Sequence, residues 1–290
     1  MAAYGQVSEA WRAIRRAGST RAATWDLAAC AAGLGHSAGA RSEVAGSRAA
    51  QPTMIDQVHE VVRLRRRMLE CDCYPPGVAP ISEYIGGTAA FPAGAGLCRA
   101  GYDDPLPTFP VGGVMFVAHN VDAERPFKER LETRQPHGGD VRRMPYWRGM
   151  YCLLEEARLD RAECFFTNAY VGLKRGGKPE GVLGLGRGDE FRRWCAGFLE
   201  EQVRVMRPRV VAVVGRPAWT FVAKMAAELS TWRQRKVPAV PVSAVLGGHR
   251  TVAVPLLHTS GQGRFMRHRG YGSMTEAIRG EAALLRRAGA

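Results

Sequence analysis

From residue 110 onward the chain switches repeatedly between short, uninterrupted apolar runs and longer segments whose apolar residues recur at helical spacing. The runs are GGVMFVAHN (112–120), CFFTN (164–168), PRVVAVVG (208–215) and RTVAVPLLHTS (250–260). Each precedes a helix-type segment: YWRGMYCLLEEARL, GDEFRRWCAGFLEEQVRVM, RPAWTFVAKMAAEL and SMTEAIRGEAALLRRA. In the second of these helices Phe191, Trp194, Cys195, Phe198 and Leu199 share a face, with Asp189 in the first turn. The third has Pro217 at its start, and the last opens on Ser273 with Glu276 three residues behind it, a capping pair. Strands that do not alternate are buried on both faces, and a helix after each strand makes their pairing parallel. The pattern therefore predicts an α/β domain with a parallel sheet between helical layers. Ligands of such sheets sit beyond the carboxyl ends of the strands. Three of the four predicted strands finish there on polar side chains: His119 and Asn120, then Asn168, then His258 and Ser260. The other finishes on Gly215, where a backbone can approach closely.

The pattern is different before residue 110. Residues 1–53 are rich in Ala, Gly and Arg with few large apolar side chains, and are expected to form a flexible segment. A targeting peptide fits poorly, because Asp26 breaks the apolar stretch. The segment also reads as an upstream extension of a frame starting at Met54. Residues 54–109 are expected to pack on the core as a helix, MIDQVHEVVRLRRRMLE, followed by a loop-rich lead-in whose prolines and glycines forbid long helices. The main domain then spans 110–290.

Charge narrows the partner. The 41 basic and 27 acidic side chains leave a formal net charge of +14, which favours a polyanion such as nucleic acid. The seven cysteines are scattered, and Cys71 and Cys73 are too close for a metal knuckle. Cys98, Cys152, Cys164 and Cys195 read as core thiols. A reducing cytoplasm, no metal and no cofactor are expected, and no apolar run approaches a membrane span.

Taken singly, the polar strand ends are ambiguous. AHNVD (118–122) is an ordinary turn sequence as well as a candidate site, and Asn168 suits a helix cap as well as a ligand contact. LLHTSGQGRFMRHRG (256–270) reads either as a solvated basic loop or as a phosphate grip beside an imidazole. GLGRGDE (184–190) lacks the spacing of a dinucleotide loop.

In order, VMFVAHN, FFTNAY, RPRVVAVVGRPAW and LLHTSGQ resemble the uracil-DNA glycosylase superfamily over about residues 110–288. That family carries a motif such as G-x-N-P-G after the first strand, a pyrimidine-reading Asn, often within T-N, and a closing H-P-S or N-P-S. Ala118 and Val121 stand where the family has glycine and proline, and Thr259 stands for the proline of H-P-S. The resemblance implies a three-layer αβα sandwich with a central four-stranded parallel sheet.

It also implies roles. Asn168 reads the edge of a flipped base, with Phe127 stacking as a lid and Tyr170 behind it. His258 donates to the base carbonyl, Asn120 orients the attacking water, and Asp122 serves as general base. His119 also lines the base site, either substituting for His258 or packing. Ser260, Gly261, Gln262, Arg264 and Arg267 contact the DNA backbone. The implied activity is hydrolysis of the N-glycosidic bond of uracil or another deaminated base in single- or double-stranded DNA, by a monomer. The alternative is a non-catalytic nucleic-acid-binding protein with the same fold.

Overall fold

The computed structural model describes residues 60, 63–64, 66–81, 110–132, 145–176, 183–186, 188–234, 239–260 and 263–290. The chain divides into two units, Met1–Ala50 and Gln51–Ala290, and every described residue belongs to the second. The expected flexible segment 1–53 and most of the loop-rich lead-in lie outside the described residues.

The strands are β1 (Val78–Ala79), β2 (Val114–Ala123), β3 (Cys164–Lys174), β4 (Val210–Val214), β5 (Val242–Leu246) and β6 (His249–Leu256). The helices are α1 (Glu124–Glu132), α2 (Pro145–Ala157), α3 (Asp189–Met206), α4 (Arg216–Val222), α5 (Gly263–His268) and α6 (Met274–Arg287). Residues 60, 63–64 and 66–69 are also helical. One sheet contains all six strands in the order β1-β3-β2-β4-β6-β5. The four central strands pair in parallel, as expected, but β1 and β5 add antiparallel edges, so the sheet is mixed and six-stranded rather than four-stranded.

Each edge has a physical origin. Strand β5 joins β6 through Gly247 and Gly248, both with positive φ (54° and 77°), the geometry of a tight hairpin turn. A Cβ on Gly247 would also lie 2.4 Å from the Glu200 carbonyl oxygen, so the turn needs glycine twice over. Strand β1 is only two residues long and pairs with the far end of β3 at Leu173 and Lys174.

Alternate residues of the central strands feed two cores. Met115, Val117, Phe165, Val211, Val213 and Ala253 face α3 and α4, meeting Phe191, Phe198, Trp219 and Phe221. Val114, Phe116, Phe166, Ala212, Val254 and Leu256 face α2 and α6, meeting Met150, Leu153, Leu284 and Leu285. Burying each such side chain contributes about 1.5–3 kcal/mol, and the non-alternating strands supply a buried residue to both faces. The predicted cap on α6 forms: the Ser273 side chain accepts from the Glu276 N–H, and Glu276 Oε2 accepts from the Gly272 N–H.

The strands also end elsewhere than expected. Strands β4 and β6 stop in register at Val214 and Leu256. Strands β2 and β3 run on to Ala123 and Lys174, pairing Ala118 with Asn168 and Asn120 with Tyr170. Asn120 and Asn168 are thus interior strand residues, not strand tips. They fall where the sheet steps down from two long strands to two short ones.

Cys164 and Cys195 are buried as expected, but Cys152 is exposed on α2. Burial pushes the Cys164 thiol up to about 12. Among the described residues no helix is long and apolar enough to cross a membrane, and no group of three or more His, Cys, Asp or Glu is placed to hold a metal ion.

Candidate active site

The step in the sheet is closed by the segment that follows β6. There His258 Nδ1 lies 2.6 Å from Ser260 Oγ and accepts the Ser260 backbone N–H at 3.3 Å. A backbone N–H can only donate, so Nδ1 carries a lone pair and the proton of the neutral ring sits on Nε2. Burial pushes the His258 pKa below its ordinary value, which keeps that neutral form.

Three elements surround this ring. Gly215, at the end of β4, has φ +83° and ψ 150°, and a Cβ there would lie 3.3 Å from His258 Cδ2. The Tyr146 ring, from the first turn of α2, is centred 5.1 Å from the imidazole, and burial raises its phenol. His119, on β2, interacts electrostatically with His258. Burial drives His119 down to about 4, against a hydrogen bond from the Asn120 side chain that works the other way. His119, Asn120 and His258 therefore share one neighbourhood, with both imidazoles neutral at pH 7.

The loop is fastened to α2 as well. Thr259 Oγ1 donates to the Tyr146 carbonyl at 2.8 Å. Gly149 packs so tightly beneath that a Cβ would fall 2.1 Å from the Thr259 carbonyl oxygen. Thr259 thus has a structural task where the family pattern has proline.

Asn168 projects from β3 on the same side as Phe166, whose ring meets that of Trp147 at 5.9 Å. The residue is 7% exposed, and its side-chain amide has no hydrogen-bond partner among the described residues. Its neighbour Thr167 behaves differently: Thr167 Oγ1 donates to Gln202 Oε1 at 2.6 Å, and Gln202 Nε2 donates to the Phe198 carbonyl. One buried polar residue of β3 is satisfied by a described neighbour, and the next is not. Between Asn120 and Asp122 the β2–β3 register shifts, the kind of irregularity that re-aims side chains beside active sites.

The remaining expected residues fall in varied places. Phe127, read as a stacking lid, is 1% exposed and packed within the apolar core, where it offers no free ring face. Tyr170 sits behind His119, with ring centroids 5.5 Å apart in an edge-on arrangement. Ser260 is engaged with His258, and Arg267 is exposed on α5. Gly261 and Gln262 lie outside the described residues, and for Asp122 and Arg264 the description ends at the backbone. Arg269 is no solvated phosphate grip. It is buried against Glu281 at 3.2 Å and its guanidinium lies over the Trp219 ring. Sequence reasoning missed Tyr146 and Glu281. The second left a signal, because Glu281 interrupts the apolar stripe Ala277, Leu284, Leu285 at helical spacing.

Gly215 yields a direct prediction. Its φ/ψ pair is nearly exclusive to glycine, so Gly215→Ala should cost on the order of 1–3 kcal/mol of stability. It should also displace the His258 ring. Thermal melting together with a ring-nitrogen NMR spectrum of His258 checks both parts; an unshifted ring in a stable variant would contradict the second.

No curated protein matches the chain. The model of the uracil DNA glycosylase superfamily matches residues 114–279, from the first residue of β2 into α6 and over more than half of the chain. With its parallel central strands and this match, the chain belongs to the uracil DNA glycosylase superfamily.

Proposed function

We propose that this protein is a DNA glycosylase that hydrolyses the N-glycosidic bond of uracil or another deaminated base. The observation that carries the reading is the buried amide of Asn168, without a hydrogen-bond partner among the described residues, on the sheet face toward which Tyr146 and the neutral His258 imidazole pack. A buried amide without a partner costs about 1–3 kcal/mol, a penalty removed when a ligand supplies the missing bonds. The edge of uracil presents a carbonyl acceptor beside an imide N–H donor, and a carboxamide offers the complementary pair.

Cleavage builds negative charge on the departing base and positive charge on the sugar. His258 Nε2–H is oriented as a donor to the base carbonyl on which that charge gathers. Asn120, hydrogen-bonded to His119, orients the water. Asp122, just past the register shift, is the proposed base that takes the water's proton. Tyr146 takes over from Phe127 as the aromatic wall beside the flipped base. The net charge of +14 and the exposed Arg267 supply phosphate contacts in a salt-dependent way, with Arg264 the further proposed contact.

The test uses oligonucleotides carrying uracil, hypoxanthine or xanthine, single- and double-stranded, incubated with the protein and then treated with alkali. Strand breaks at the lesion support the reading. Salt-sensitive binding without breaks at any lesion would replace it with the non-catalytic alternative.

A further inference from the structure

We propose that Glu281 and Arg269 form a positioning clamp that closes the base of the 257–269 loop and holds His258 in its donor orientation. Glu281 Oε2 accepts the backbone N–H of Leu257, the residue immediately before His258, at 2.8 Å. Its other oxygen accepts from Arg269 Nη1 and from the Tyr271 hydroxyl, each at 3.2 Å. Arg269 Nη2 donates in turn to the Pro255 carbonyl at 2.6 Å. One carboxylate thereby ties the start of the loop to its end, and one guanidinium ties the end of the loop to the penultimate residue of β6. The Arg269 guanidinium also lies 5.4 Å from the centre of the Trp219 ring, and Trp219 Nε1 donates to the Val213 carbonyl. The clamp is therefore anchored to the strand that ends at Gly215, which touches His258 from the other side.

Stability alone is a poor reason for this arrangement. The Arg269 and Glu281 side chains are 6% and 5% exposed. Burial raises the Glu281 carboxyl while Arg269 pulls it back. Apolar residues of similar volume commonly replace such a buried pair at no loss of stability. What they cannot replace is an acceptor aimed at the Leu257 N–H. Among the described residues the groups facing His258 itself are His119 from β2, Tyr146 from α2 and Ser260 from the loop, so Glu281 acts on the ring through the backbone.

The experiment uses the full chain carrying Glu281→Leu together with Arg269→Met. It reads the His258 ring-nitrogen resonances across pH, and kcat and KM on a uracil oligonucleotide. The expected variant folds but melts below the parent, because the Leu257 N–H and the Pro255 carbonyl lose their partners. Its His258 titrates nearer the ordinary imidazole value with a mixed tautomer population, and its kcat falls at least roughly tenfold while KM changes little. A folded variant whose His258 tautomer and titration match the parent overturns the proposal. Should that pair fail to fold, Glu281→Met together with Arg269→Leu, which likewise removes the acceptor of the Leu257 N–H, is read in the same way, and an unchanged ring is again the overturning result. The kinetic half rests on the glycosylase reading. The resonance half does not, so a parent protein that releases no base leaves the clamp to be decided by the ring alone.

Discussion

The Asn168→Leu protein is expected to melt above the parent and to release no uracil. Leucine shares the branched heavy-atom outline of asparagine, and position 168 is 7% exposed on a central strand. The amide it removes has no hydrogen-bond partner among the described residues, so folding pays its desolvation without return. An apolar side chain recovers about 1 kcal/mol of that, or roughly 2–4 °C in a domain of this size. The same change leaves the imide edge of a bound base without its donor and acceptor. Sites built around such a pair reject unmatched partners by about four orders of magnitude, so activity should fall below detection. Melting and alkali-cleavage assays on one preparation test both halves. A variant that is less stable, or that still releases base at parental rate, would assign Asn168 to the fold rather than to a ligand. Thr167→Val is the internal contrast. It strands the Gln202 oxygen and should destabilise by about 1–3 kcal/mol without a specific effect on chemistry.

His258→Ala should retain the fold and lose roughly a hundredfold to a thousandfold in kcat, the usual cost of removing a donor aimed at developing charge. The parent's pH profile carries the second part. Burial lowers the His258 pKa from the ordinary 6.5, so the neutral Nε2–H form predominates at pH 7. Protonation would place a hydrogen on Nδ1, opposite the Ser260 N–H, and break the contact that sets the ring. Rate is therefore expected to stay level as pH falls through 6.5 and to drop only at more acid values. Stability follows the same sign. His119, at about 4, and His258 are both depressed, so below the ordinary 6.5 the unfolded chain takes up protons that the folded chain refuses. Stability is then lost on acidification, with the His119 contribution exhausted near pH 4. A rate that already halves near pH 6.5 would contradict the buried, neutral imidazole.

The four parallel strands were legible because each is an unbroken apolar run, and such runs are unusual outside doubly covered sheets. The edges were not. Strand β1 has two residues, too few for any periodicity, and β5, the short alternating run VSAVL, carried no assignment from the sequence. The Gly247–Gly248 pair was the available sign of a hairpin. Strand ends were misjudged because polar residues were taken as terminators, whereas Asn120 and Asn168 interrupt strands that continue through VDA and AYVGLK. For the proposed site, His119, Asn120, Asn168 and His258 were singled out because polar groups on apolar strands stand out. Tyr146 was not, since nothing local relates the first turn of α2 to the loop after β6. Arg269 was misread because a sequence displays charge but not its neutralisation, and its partner Glu281 lies a helix away.

Asn168 is held by ladder hydrogen bonds on β3 rather than by a loop, and this has an evolutionary consequence. Side chains on a strand change face with every residue, so deleting one residue between Cys164 and Asn168 would bring Ala169 to the spot where the amide now stands. Point substitutions on β3 can be tolerated one by one, but insertions and deletions there are all-or-nothing. Descendants of this chain should therefore vary in length after Lys174 and keep the count from Cys164 to Asn168 unchanged.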